Sequence, residues 1–364
     1  MKKKILFANP RFHTNLYQTI KVLNKYYYVE MLVANKQIIE DYTILNPTML
    51  KASFLSKILI KIFSKFKKNN RFYFPNFLEL FKHLKKSLPT IIILRNYNKI
   101  FGLYIIIIAK LLSIKIVFYE QLGKNFFHNN RFKLLFFSIR NFILHSKFYT
   151  PIFKNFKKNI LFYNFYFIPF LVEIKKKIYK QPNCVKFLFV GKFIPRKNLL
   201  LLIKIFSELN KSYNIKLYVV GEVSTKSHSN FFKFIKNKIR FFGVENRIKI
   251  IKNLNYKKIF NYYKLCDVLI MPSFNEPASI SVMESLGQGT PVICGENNGI
   301  NFYVKNNFNG LIFNENNEKQ LKKKMLFFIK NKKRISIFSK NSYDYFKKNY
   351  SEKNFLNQFE KLFK

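Results

Sequence analysis

The chain has 364 residues, enough for two domains, with 49% apolar residues and a formal net charge of +48. That apolar content excludes a disordered polyelectrolyte. Three cysteines without paired spacing, Cys184, Cys266 and Cys294, exclude a disulfide scaffold and a zinc knuckle and fit a reducing compartment.

The charge attracts phosphates, nucleic acid or anionic lipid head groups, whatever its origin. Abundant Lys, Asn, Ile, Phe and Tyr, with no Trp, is also the composition that an AT-rich coding bias produces.

The chain opens MKKKILFANPRF, a basic prefix followed by a four-residue apolar run before Asn9-Pro10, too short for a signal peptide. No run approaches the ~18 apolar residues of a membrane span. The longest clean one, LYIIIIA at 103–109, stops at Lys110. The expected location is the cytoplasm, with peripheral contact at the inner face of a membrane.

Apolar runs at 4–8, 28–34, 90–94 and 115–120 read as buried parallel strands. Helical patterns lie between them, at 14–27 and 100–113. The stretch 50–68, LKASFLSKILIKIFSKFKK, sets Leu50, Phe54, Leu55, Ile58, Leu59, Ile62, Phe63 and Phe66 at helical spacing. Lys57, Lys61, Lys65 and Lys68 form a second stripe. It reads either as a basic amphipathic helix for an anionic bilayer or as a surface helix that buries its apolar stripe in its own domain. The pattern blurs over 125–170.

A charged stretch, LVEIKKKIYKQPN at 171–183, reads as a linker. Alternation then restarts, with strands expected at 186–191, 215–221, 247–252, 267–273 and 291–295. Helices are expected at 198–210, 229–238, 256–264, 279–288 and 317–330. Alternating strands and helices in both halves predict two doubly wound, Rossmann-like α/β domains. The expected division is 1–170, linker 171–183, 184–334, and a helical tail 335–364 packing back on the body.

Carboxylates number only 18, yet Glu276, Glu284 and Glu296 fall within SFNEPASISVMESLGQGTPVICGENNGI, 273–300. In a doubly wound sheet the loop after strand 267–273 lies at the carboxyl end, where ligands bind. The helix that follows offers free N–H groups to a phosphate. A carboxylate in its opening turns can accept two hydrogen bonds from a diol such as a ribose. Ser281 and Glu284 also fit a capping box, and Glu276 also fits a solvated loop acid. Asn298-Gly299 marks a turn on the ligand side.

The first strand of the second half ends FVGKFIPRKN, 189–198. Gly191 permits close backbone approach, and Arg196 and Lys197 follow in a strand-to-helix loop, where two cations suit a diphosphate.

VGKFIPRKNLLLLIKIF, LYVVGE, EPASISVMESLGQGTPVI and NGINFYVKNNFNGLIF together resemble the C-terminal half of glycosyltransferase family 4. The resemblance covers about 186–315 strongly and 1–170 weakly. Its signature is Glu-x7-Glu, here Glu276 to Glu284. It implies the GT-B fold, two Rossmann-like domains facing across a cleft, the first binding the acceptor and the second the nucleotide sugar. It implies a retaining transferase that needs no metal or other cofactor.

Arg196 and Lys197 would then neutralise the departing diphosphate, and Glu276 would contact the donor sugar. Glu284 would hold the ribose. The backbone at Ile280 and Ser281 would meet the phosphates, and Asn253 and Leu254 would border the base. The implied partners are a nucleotide-sugar donor and a glycan or lipid-linked acceptor, in polysaccharide, lipopolysaccharide or glycolipid synthesis.

Two departures stand out. The first loop, ANPRFHTN, lacks the family's glycines and offers His13 instead. Where relatives often carry a histidine, FYEQLGKNFFH offers Glu120, Gln121 or His128. Two other classes compete: a nucleotide-sugar epimerase of the same fold, and a non-enzymatic basic protein bound to membrane or nucleic acid. Specific nucleic-acid binding is not expected, because most Phe and Tyr sit in core-like runs.

Overall fold

The computed structural model describes residues 2–36, 40–63, 72–97, 99–121, 147–151, 165–179 and 183–364. They divide into two units, 1–171 with 352–364, and 172–351.

The first unit is built on a parallel sheet of β1 (Lys4–Asn9), β2 (Tyr28–Val33), β3 (Ile91–Leu94), β4 (Lys115–Tyr119), β5 (Lys147–Thr150) and β6 (Phe165–Phe167). The order is β2-β1-β3-β4-β5-β6. Isoleucine-rich β3 is buried along its whole length, as a strand covered on both faces must be. Helices α1 (Tyr17–Tyr26), α2 (Phe54–Ile62), α3 (Phe77–Ser87) and α4 (Ile100–Leu111) supply the crossovers. Asn76 caps α3 by accepting from the N–H groups of Leu78 and Glu79.

The amphipathic stretch forms α2 over only part of its expected length; its residues from 64 onward lie outside the described ones. Phe54 is 79% exposed, and Leu55, Ile58 and Ile62 are also exposed. Much of the apolar stripe of α2 is therefore left uncovered, while Leu59 and Phe63 are half-buried and Phe63 stacks on Phe72. No helix among the described residues is long and apolar enough to cross a membrane.

The second unit repeats the plan with β7 (Val185–Lys192), β8 (Ile215–Glu222), β9 (Ile248–Lys252), β10 (Val268–Met271), β11 (Val292–Gly295) and β12 (Gly310–Phe313), in the parallel order β12-β11-β10-β7-β8-β9. Its helices are α5 (Leu199–Asn210), α6 (Lys226–Phe241), α7 (Tyr256–Leu265), α8 (Ile280–Gly287), α9 (Glu318–Lys330) and α10 (Lys332–Asn349). One apolar core unites Phe187 and Phe189 of β7, Leu202 and Phe206 of α5, and Phe328 and Phe338 of the last two helices.

The stretch expected as a linker bonds to the second unit. Lys175 N–H donates to Gly287 O at 2.9 Å, and Lys177 Nζ donates to Thr290 Oγ1 and to the carbonyls of Tyr263 and Cys266. The expected tail divides as well. Helix α10 belongs to the second unit, while α11 (Glu352–Phe359) and the residues after it belong to the first. There Phe363 stacks on Tyr27, and the carbonyls of Phe363 and Lys361 accept from Lys115 and Lys147.

Each sheet reverses its winding once. In the first the reversal falls between β1 and β3, in the second between β7 and β10. At such a switch point, loops leave neighbouring strand ends in opposite directions and open a crevice at the carboxyl edge.

Candidate active site

The second switch point holds the residues singled out from the sequence. Gly191 lies in the last turn of pleat of β7. Beyond it the chain tightens into a short 3-10 turn, Pro195–Lys197, begun by the fixed φ of Pro195 and ended by Asn198 in a left-handed conformation. Opposite, β10 runs into the loop that carries Glu276. The two loops are tied by the backbone, since Phe274 N–H donates to Arg196 O at 3.0 Å. The Asn298-Gly299 turn closes from the other side, with Gly299 N–H donating to Glu276 O at 2.8 Å.

These ties bring three charged side chains together. Arg196 Nη1 and Lys197 Nζ both donate to Glu276 Oε2, at 2.7 and 2.8 Å. Glu276 is 5% exposed and Lys197 is also buried, while Arg196 reaches the surface. Burial works to raise the Glu276 carboxyl, but the two adjoining cations outweigh it and hold the group below the usual carboxylate range. Burial pulls the Lys197 ammonium below the usual lysine range, and Glu276 opposes that pull only in part. Two cations share one carboxylate, so a surplus positive charge stays at the mouth of the crevice. That surplus suits an arriving or departing phosphate.

Glu284 lies on α8 in a different setting. Its Oε1 accepts from Tyr256 OH at 2.7 Å and its Oε2 from Tyr263 OH at 2.8 Å. It is 2% exposed, and burial raises its carboxyl despite those two hydrogen bonds. Its side chain does not return to the helix start, so the capping-box alternative is not the arrangement found. Ser279 begins α8 without a side-chain cap. Its hydroxyl lies 2.9 Å from that of Ser281, and Ser281 Oγ donates to Val190 O. Ile280 and Ser281 thus stand at the head of α8, behind the end of β7.

Tyr256 and Tyr263 were not singled out from the sequence. Seven residues apart, they share one face of α7, a spacing that reads equally well as core.

Asn253 and Leu254 follow β9. Asn253 is left-handed, and its amide exchanges two hydrogen bonds with the backbone of Val223, clamping the loop after β8 to the loop after β9. Among the described residues no group of three or more His, Cys, Asp or Glu side chains gathers as a metal site.

The acceptor-side candidates lie in the first unit. His13 precedes the 3-10 turn Thr14–Leu16, where its carbonyl accepts from Leu16 N–H at 2.8 Å. Glu120 follows β4 and accepts from Tyr97 OH and from Gln121 N–H. His128 lies outside the described residues.

Residues 172–345 match the family model of glycosyl transferases group 1. The blocks that carried the sequence resemblance fall inside that stretch. An uncharacterized glycosyltransferase of Methanocaldococcus jannaschii is 27% identical over 174 residues, 48% of this chain and 46% of that protein. A capsular polysaccharide biosynthesis glycosyltransferase, CapH of Staphylococcus aureus, is 29% identical over 154 residues, 41% of this chain and 40% of that one. The chain thus spans less than half of the length of either relative.

Among solved structures, Anabaena HepE in complex with UDP-glucose superposes with a TM-score of 0.73 at 13% identity, covering 98% of both chains. That likeness establishes the fold, two Rossmann-like domains of the GT-B type, over nearly the whole length.

Proposed function

We propose that the protein is a retaining glycosyltransferase of the hexosyl-transferring class. It moves a sugar from a nucleotide-diphosphate donor to a glycan or lipid-linked acceptor in surface polysaccharide or glycolipid synthesis. The observation that carries this reading is the convergence of Arg196 and Lys197 on Glu276 at the second switch point, one loop before the uncapped start of α8.

Such a pair of cations stabilises the charge that grows on a departing diphosphate, the work a divalent ion performs in other transferases. Glu276 orients both cations through Oε2. Its Oε1 accepts no hydrogen bond among the described residues, which suits it to a sugar hydroxyl. Glu284, with both oxygens already engaged, would receive ribose hydroxyls on its remaining lone pairs. The kinship to CapH supports the polysaccharide setting, and HepE, solved with UDP-glucose, supports a uridine nucleotide as the first donor to try.

Peripheral membrane contact is part of the proposal. The exposed apolar residues of α2, flanked by Lys57 and Lys61, suit an anionic bilayer surface, where acceptor lipids reside.

A thermal-shift screen with UDP-, GDP- and other nucleotide sugars, followed by a transfer assay, tests the reading. Donor binding with transfer that Glu276→Ala abolishes is the expected result. Full activity in Glu276→Ala would remove the proposed mechanism. Donor turnover without acceptor, giving an isomeric nucleotide sugar, would make the protein an epimerase instead.

A further inference from the structure

The first switch point carries polar groups that nothing among the described residues satisfies. Asn9 ends β1 and is 1% exposed, yet neither its Nδ2 nor its Oδ1 has a hydrogen-bond partner. Arg95 directly follows β3, and its Nη1 is enclosed without a partner too. Buried polar atoms are nearly always paired, and leaving one unpaired costs its full desolvation.

The two side chains belong to one row. Ala8 and Leu94 are register partners, and Arg95 N–H still donates to Ala8 O at 3.0 Å, so Asn9 and Arg95 extend the pairing by one step. Register partners in a parallel sheet emerge on the same face. The row continues through Tyr119 and Tyr149, which are register partners with rings 4.8 Å apart. The Arg95 guanidinium lies 5.5 Å from the Tyr119 ring centre.

Arg95 Nη2 donates to Gln121 Oε1 at 3.0 Å, and Gln121 Nε2 donates to Tyr119 OH. Glu120, the neighbouring carboxylate, turns to Tyr97 and to the Gln121 N–H, and Arg95 forms no ion pair among the described residues. Arg95, Glu120 and Gln121 are half-buried and form the rim.

We infer that Asn9 and Arg95 form a binding subsite for an acidic sugar. Arg95 Nη1 and Asn9 Nδ2 donate to its carboxylate or phosphate oxygens, and Asn9 Oδ1 accepts from a neighbouring hydroxyl. The donor set is two kinds of N–H group and one acceptor, beside a guanidinium that pairs with no carboxylate among the described residues. A neutral sugar would leave that charge uncompensated, and a simple anion would leave Asn9 Oδ1 unused. The inference rests on the transferase reading only in making this ligand the acceptor.

Calorimetric titration of the full chain tests it, with saturating UDP and constant ionic strength. The probes are glucuronate, glucose 6-phosphate and, as a neutral control, glucose. Arg95→Gln is expected to weaken the acidic probe at least tenfold and to leave UDP affinity unchanged. Lys110→Gln, at an exposed position of α4, should change neither. Whichever acidic sugar binds in an Arg95-dependent way identifies the oxyanion as carboxylate or phosphate.

Asn9→Leu provides a second reading if Arg95→Gln folds poorly. It should melt at a higher temperature without ligand, yet lose the acidic probe. Equal probe affinity in the wild type and in either variant overturns the subsite. Failure to bind any nucleotide would instead sink the transferase proposal and leave the subsite standing.

Discussion

The two switch points have the same backbone plan but differ in how far their polar groups are satisfied from within. At the second, Arg196, Lys197 and Glu276 satisfy one another, and the backbone hydrogen bonds from Phe274 and Gly299 lock the loops that carry them. At the first, the Asn9 amide and Arg95 Nη1 are held in register but find no partner among the described residues. One crevice is prepared by internal ion pairs before any ligand arrives, and the other keeps its polar groups in reserve. The contrast fits a division of labour. A diphosphate donor is common to many reactions and can be met by a pre-built charged hook, whereas a particular acceptor needs groups left open for it.

The largest test of the contrast is to undo the internal pairing. Glu276→Gln leaves the buried Lys197 ammonium without its carboxylate and should cost about 3–5 kcal/mol in urea unfolding at neutral pH. The same change should lower transfer by about 10²–10³-fold. The sign with pH follows from the depressed folded value. Ionised Glu276 stabilises the fold above the unfolded carboxylate range and loses that contribution as pH falls through the lower folded value. The wild type and Glu276→Gln should therefore converge in acid, and a constant difference down to low pH would contradict the ion-pair account.

A smaller effect separates two glycines at the same strand edge. Gly191 and Gly221 are register partners in β7 and β8. A Cβ on Gly221 would stand 2.1 Å from Phe193 Cε2, while one on Gly191 would meet Lys197 Cε at 3.4 Å. Gly221→Ala should cost about 1–3 kcal/mol, and Gly191→Ala less than about 1 kcal/mol. Chemical denaturation of both variants measures the difference, and equal losses would mean that Phe193 yields freely.

Glu284 tests whether the second crevice is satisfied throughout. Its carboxyl is raised, so the native state keeps its proton longer than the unfolded chain. Stability should fall as pH rises from the unfolded value, about 4.3, through the raised folded one. Glu284→Gln should lack that decline and match or exceed the wild type at neutral pH, while binding nucleotide more weakly. Parallel pH curves for the two proteins would contradict the assignment.

The smallest effect is expected from Asn9→Leu. Relief of the enclosed amide should add about 1 kcal/mol and raise the melting temperature by about 2–4 °C. A lower melting temperature would show that the amide is satisfied after all.

Much of this was legible in the sequence, for physical reasons. Strands buried on both faces read as uninterrupted apolar runs, so β1, β3, β7 and β8 were expected within a residue or two of their bounds. The Arg196–Lys197–Glu276 group was legible because each residue lies in the loop that follows a strand, and parallel topology brings such loops to one edge. β5, β6 and β12 escaped although β3 is as short, because KFYT, FYF and GLIF lack the β-branched apolar run that marks IIIL as a buried strand. The tyrosines that hold Glu284 escaped because two aromatics on one helix face look like packing. Asn9 and Arg95 escaped because the want of a partner is a property of three dimensions. The stripe on α2 left two readings open, and only exposure could separate them.

The path of the chain through its two units carries a kinetic consequence. Residues 352–364 belong with α1, β4 and β5, hundreds of positions upstream, and they anchor there by the Tyr27–Phe363 stack, the Lys25–Glu352 pair and the carbonyls that receive Lys115 and Lys147. On the ribosome, the second unit can therefore close as soon as its own contiguous stretch has emerged. The first, though made earlier, must wait for a segment synthesised after all of its strands, so a nonsense codon near 350 would injure the half of the molecule translated first.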